Sequence, residues 1–233
     1  MGSHLSVKCP TMTRAIISLV AVLSLLVARD ALAGAPTEQI RGSIDQVLKI
    51  VTDPELKKEA RTAERRKKIR VVVNQIFDFT EISQRSLGRH WQARTPAERE
   101  QFVALFGDLL ENAYITKIES YSGEKIEYPG DVIEGDMAVV KTRIVNKQGT
   151  EIPVDYRMFL QGGRWAVYDV SIEGISLVAN YRTQFNAVIQ RSGYPDLVAK
   201  LSAKRDERPG GREAGRAESA APTSAAVKRQ ESP

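Results

Sequence analysis

The chain has 233 residues, 42% hydrophobic and 27% charged, with a formal net charge of +5 at pH 7. That is room for one domain with a sizeable core plus extensions, and a composition that excludes both a wholly disordered chain and a membrane-filling one. Between Gly34 and Ser202 basic and acidic residues number 24 and 23, so the excess lies at the ends and no nucleic-acid partner is expected of the domain.

Thr13-Arg14 follows a plausible start at Met12 and leads into a continuous apolar run, Ala15 to Ala28. The run is shorter than the ~20 residues of a membrane span, and Arg29-Asp30 interrupts it. Ala31-Leu32-Ala33 is a small-x-small site, so residues 1–33 read as an export signal with its upstream residues, cleaved after Ala33. Cys9, the one cysteine, precedes the apolar run and so is not a lipoprotein anchor. The remainder therefore has no disulfide, thiolate metal site or cysteine nucleophile.

Ile40, Ile44, Val47, Leu48 and Val51 recur at helical spacing and predict a first helix closed at Thr52-Asp53-Pro54, with Pro54 opening the next. That second helix begins with eight basic residues between Lys57 and Arg70 and turns apolar at Val72, Val73, Ile76 and Phe77. The basic run suits a solvated face; the alternative is a docking surface for anionic lipid head groups or an acidic partner. Thr95-Pro96-Ala97-Glu98 is a capping box with proline at the first helical position. It opens a helix expected to end near Ile118, whose broad apolar side carries Phe102, Leu105, Phe106, Leu109, Leu110, Ala113 and Tyr114. At about 22 residues it would be ~33 Å long.

The second half alternates. A short strand, Lys125 to Tyr128, is expected to stop at Pro129-Gly130. Met137 to Val145 sets Ala138, Val140, Thr142 and Ile144 against Lys141 and Arg143. Then Ile152, Val154, Tyr156, Met158 and Leu160 alternate with Glu151, Asp155, Arg157 and Gln161. Gly162-Gly163 turns into Arg164 to Ile172, with Trp165, Val167, Asp169 and Ser171 expected on one face and Ala166, Tyr168, Val170 and Ile172 on the other. After Glu173-Gly174 the period becomes helical through Leu177, Val178, Tyr181, Phe185, Val188 and Ile189, until Ser192-Gly193-Tyr194-Pro195 ends it. Asp196 to Leu201 has room for one short helix, and 203–233 reads as a disordered tail. The domain is thus 34–202: α+β, an antiparallel sheet of about four strands covered by helices.

Two stretches carry a resemblance. Trp165, Tyr168-Asp169-Val170, Ile172 to Val178 and Asn180-Tyr181-Arg182-x-Gln184-Phe185 resemble the C-terminal signature of the MlaC/toluene-tolerance family. Phe77-Asp78-Phe79, Leu87-Gly88-x-x-Trp91 and the Thr95–Glu98 helix start resemble its central segment. The resemblance implies an NTF2-like arrangement with added helices and an apolar cavity between sheet and helices. It implies a periplasmic carrier that binds phospholipid and moves it between an outer-membrane lipoprotein complex and an inner-membrane ABC transporter complex. Facing arguments then put Val140, Ile144, Val154, Tyr156, Met158, Tyr168 and Val170 of the sheet against the lipid tails. Phe106, Leu109, Tyr114, Val178, Tyr181 and Phe185 supply the helical side. Arg182 falls at the mouth or in a salt bridge with Asp169 or Glu173. A polycyclic, hopanoid-type cargo is the ligand alternative.

No catalytic or metal-binding constellation can be built. His90 stands alone beyond the signal, no His/Asp/Glu group has metal spacing, and no cofactor is called for. Asp169 and Glu173 are the one acid pair on a shared strand face, so an NTF2-like enzyme acting on a small apolar substrate is the class alternative; a helix cap is the competing role for the pair.

Overall fold

The structure, a computed structural model, describes residues 36–206; the expected export signal and nearly all of the expected tail lie outside the described residues. The apolar stripe from Ile40 to Val51 forms α1 (Pro36–Thr52), and its buried residues include Ile40 and Val51. Asp53 then accepts the backbone N–H groups of Glu55 and Leu56, at 2.8 and 3.2 Å, and makes a turn. The next helix, α2 (Thr62–Ile76), therefore starts well after Pro54. At Phe77 the backbone turns extended and bridges to Val167, which accepts the Asp78 N–H at 2.9 Å. Asp78 in turn caps α3 (Phe79–Leu87), ended by Gly88 at φ +54°. The capping box at Thr95 and Glu98 is formed, and α4 (Pro96–Glu119) follows it.

Four long strands make an antiparallel meander: β1 (Lys125–Glu134), β2 (Met137–Val145), β3 (Glu151–Gln161) and β4 (Arg164–Ile172). A fifth, β5 (Ile175–Ser176), adds two residues beside β4. Two departures from the sequence expectation matter. β1 does not stop at Pro129-Gly130, because it is an edge strand and a proline there costs no ladder hydrogen bond. A bulge between Glu127 and Gly130, with Gly130 at φ +134°, absorbs the pair. The second departure is in β4. Met158 pairs with Val167 but Arg157 pairs with Asp169, so one residue is extra and the alternation breaks at Tyr168. Trp165, Val167 and Val170 consequently share the face carrying Val140 and Met158, while Tyr168 turns away against Phe159, ring centroids 6.1 Å apart.

α5 (Leu177–Ser192) leaves the sheet directly, and α6 (Tyr194–Asp206) runs past the expected tail boundary at Ala203. α1 lies on α2, β1 and β2; α3 lies against α4, α5 and β4; α6 packs on α4 and α5. Two main apolar clusters result. The sheet cluster joins Ile40 and Ile76 to Ala138, Val140, Met158, Trp165 and Val167. The helical cluster joins residues of α3 to α6 around Phe102 and Phe106.

Candidate functional site

The helical cluster is dense in aromatic rings. Phe106 makes edge contacts with Tyr181 and Phe185, both at 5.0 Å between centroids, and Phe102 meets Phe185 at 5.6 Å. Such edge-to-face pairs add about 0.5–1.5 kcal/mol each beyond area burial. The helical spacing of Tyr181 and Phe185 on α5, and of Phe102 and Phe106 on α4, is what lets four rings meet. Val178, Tyr181, Phe106 and Phe185 are buried here, and Leu109 is half-buried against them. Burial pushes the Tyr114 phenol up to about 12, with Tyr181 adding a smaller push in the same direction. Tyr156 on β3 is likewise pushed to about 12 by burial. Both hydroxyls are therefore neutral at any physiological pH and bring no charge into an apolar site.

Sequence reasoning placed thirteen residues around one cavity. The structure divides them. Val140 and Met158 lie in the sheet cluster, with Tyr156 and Val170 packed against it. Val154 is buried and Ile144 half-buried on the same strand face. Tyr168 is displaced to the opposite face by the bulge, under Arg85, whose guanidinium sits 4.1 Å from the ring centroid. The helical six keep to the other side, in or beside the aromatic cluster. Phe77 joins the two, since its ring packs against both clusters and lies 6.1 Å from that of Phe79. The alternating strand pattern had no means of showing that this residue, at a helix end, packs against both of them.

An open groove of about 120 Å³ leads into the helical cluster between α4, α5 and α6. Leu109, Tyr181, Phe185, Val188, Leu197 and Leu201 form its apolar lining, and Gln184, Lys200 and Lys204 are its polar members. Three of the thirteen residues, Leu109, Tyr181 and Phe185, thus reach a surface opening. α6, read from sequence only as a short helix, supplies one wall, and the Leu197/Leu201 spacing was its available signal.

The other expected polar roles resolve as structural ones. Asp169 is buried and caps α5: Oδ2 accepts the Ser176 hydroxyl at 2.6 Å and Oδ1 accepts the Val178 N–H at 3.0 Å. Arg182 forms neither of the expected salt bridges; its Nε donates to the Arg85 carbonyl at 2.7 Å and its chain lies beside Gly88. His90 Nε2 faces the Asn186 side-chain oxygen at 3.0 Å, which makes it the donor. The basic run is largely paired within the fold. Arg65 and Arg66 hold Glu119, Arg70 holds Glu111, Arg61 and Lys68 hold Glu64, and Lys58 holds Glu55.

A family model described as MlaC protein matches residues 41–203. Among curated proteins the chain is similar to the intermembrane phospholipid transport system binding protein MlaC of Haemophilus influenzae, 24% identical over 139 residues, covering 56% of this chain and 65% of that protein. It is also similar to the toluene tolerance protein ttg2D of Pseudomonas putida, 29% identical over 100 residues, covering 42% of this chain and 46% of that protein. The aligned parts span less than two thirds of either relative. Among solved structures the chain resembles a phospholipid-binding protein from Ralstonia solanacearum in complex with a phospholipid. That match has a TM-score of 0.64 and 28% identity, and covers 74% of this chain and 97% of that one.

Proposed function

We propose that this chain, which belongs to the MlaC family, is a non-enzymatic phospholipid carrier that encloses the acyl chains between its helical and sheet clusters and leaves the head group at the groove. The observation that carries this reading is the likeness, across nearly the whole of its neighbour, to a protein solved with a phospholipid bound. The physical case agrees. Two acyl chains hold about 30 methylenes, and at ~0.8 kcal/mol each their exposure to water costs on the order of 20 kcal/mol, so a carrier must enclose the tails. The aromatic cluster is apolar and uncharged, and its buried Tyr181 and Phe185 line the groove.

The groove is smaller than the ~300–1,000 Å³ of ordinary ligand sites. In this reading loading widens the groove by an outward movement of α5 or α6, and Phe77, which packs against both clusters, lies on the way between them. The tails then contact the helical six and, past Phe77, the sheet residues Val140, Ile144, Val154, Tyr156, Met158 and Val170. The family setting supports a periplasmic location, with lipid passing between an outer-membrane lipoprotein complex and an inner-membrane ABC transporter complex.

The test is native mass spectrometry with lipid extraction on the protein recovered from a periplasmic fraction. One or two co-purifying phospholipid masses are expected. A protein that is empty and also takes no lipid from vesicles overturns the reading, and a polycyclic lipid in its place would reassign the cargo.

A further inference from the structure

The groove between α4, α5 and α6 has an uneven rim. Its floor is apolar, its charged lining residues are Lys200 and Lys204, and no carboxylate lines it. The two lysines stand one helical turn apart on α6 and both line the opening, with Asp196 one turn earlier on the same side of the helix. Like charges at this spacing are mildly unfavourable. Lys204 lies in the last turn of α6, where a cation suits the helix end; Lys200 does not share that reason. Lys200 is paired with Asp196, but the pair is exposed, 50% and 34% at the side chains, and exposed pairs of this kind hold weakly and exchange partners readily. An apolar floor with a cationic rim is complementary to an amphiphile whose polar end is net negative.

We infer that this groove selects anionic phospholipid over zwitterionic phospholipid, Lys200 and Lys204 meeting the negative head group while the tail enters over Leu109, Tyr181 and Phe185. The inference rests on the carrier reading and deepens it by naming the class of cargo. A zwitterionic head group carries its own ammonium into the rim and gains little there. An anionic one relieves the Lys200/Lys204 repulsion and displaces Asp196 from Lys200.

The experiment exposes the protein recovered from the periplasm to vesicles of equal phosphatidylethanolamine and phosphatidylglycerol, and measures bound lipid by native mass spectrometry. Phosphatidylglycerol should be enriched about threefold, the size expected of one exposed ion pair. Lys200→Gln/Lys204→Gln should bring the ratio to about one, through a loss of bound phosphatidylglycerol. Lys200→Arg/Lys204→Arg should retain the enrichment. Lys57→Gln/Lys67→Gln removes the same charge from the exposed side of the chain remote in sequence and should change nothing. Circular dichroism checks that each variant is folded. An unselective wild type overturns the inference, as does enrichment that survives Lys200→Gln/Lys204→Gln or is lost equally in Lys57→Gln/Lys67→Gln. Failure to bind either lipid overturns the carrier reading along with it, whereas binding without preference overturns this inference alone.

Discussion

Asp169 in β4 accepts the Ser176 hydroxyl at 2.6 Å, and through its other oxygen it accepts the Val178 N–H at 3.0 Å, so one buried carboxylate fastens the sheet to the first turn of α5. Ser176 is itself bonded to the Ala179 N–H at 3.0 Å, which makes the cap a two-residue relay. α5 carries Tyr181 and Phe185, and this relay sets the angle at which those rings leave the sheet. Asp169→Ala removes two acceptors at once. We expect a loss of about 2 kcal/mol, the sum of a cap and a charge-assisted hydrogen bond, read as a lower denaturant midpoint with an unchanged slope. A variant as stable as the parent would remove Asp169 from this role and return it to consideration as a catalytic acid.

Ser83 and Ser86 point the other way. Both are fully buried on α3, and neither hydroxyl has a hydrogen-bond partner. Their small size lets α3 lie close against its neighbours, while their oxygens are stranded. Alanine keeps the size and removes the stranded group, so Ser83→Ala and Ser86→Ala should be neutral or stabilising by up to about 1 kcal/mol. Equilibrium urea unfolding decides it: destabilisation by more than that amount would mean that each hydroxyl has a polar contact after all.

How far the fold was readable depended on whether local chemistry acted alone. α4 was legible to within a residue or two because Thr95, Pro96 and Glu98 fix its start without outside help. β4 was misread in part because its bulge is a property of the β3–β4 register and leaves no mark in RWAVYDVSI; strict alternation put Tyr168 with Val170, and the extra residue separated them. Pro129 predicts an end to β1 because proline does not serve a central strand, and only the sheet order reveals that β1 is an edge. For the candidate site the sequence offers apolar positions but no shape. Periodicity says which residues face inward; it does not say that Phe77 stands between two clusters.

The charged start of α2 gives a pH prediction. Arg65 and Arg66 meet Glu119 at 2.7 and 2.8 Å, with the Glu119 side chain only 12% exposed. Burial pushes the Glu119 carboxyl up, but hydrogen bonds from Arg66 and Arg65 outweigh it and hold the group below its ordinary value of 4.5. A depressed carboxylate contributes stability that is fully present above the unfolded value and is lost as pH falls through the folded one. The link between α2 and the end of α4 should therefore be intact at neutral pH and weaken below about pH 4.5. Glu119→Gln should cost about 1–3 kcal/mol at pH 7 and flatten that part of the acid limb, because the two arginines lose their counter-charge at every pH. Thermal melts from pH 3 to 7 on both proteins test this, and an unchanged acid limb in Glu119→Gln would assign the pH dependence to other carboxylates.

Two tryptophan substitutions separate the cargo path from the rest of the domain. Tyr181 is buried in the helical cluster, 5.0 Å from Phe106 between ring centroids, and also lines the groove. Tyr168 is half-buried on the far side of the bulge, between Phe159 and Arg85. An indole at position 181 adds volume on the proposed tail path, and overpacking of this kind also costs about 1–3 kcal/mol of stability. At position 168 it grows toward Arg85 and improves a cation–π contact, because tryptophan is the best ring for it. Tyr181→Trp should therefore lower phospholipid occupancy severalfold, while Tyr168→Trp leaves occupancy at the parent level. Lipid counting by native mass spectrometry, on samples matched for folding by near-ultraviolet circular dichroism, distinguishes the two. Equal loss in both variants would place the tails against both faces of β4, and equal retention would move the path away from α5. Either result would break the assignment of faces on which the cargo route depends.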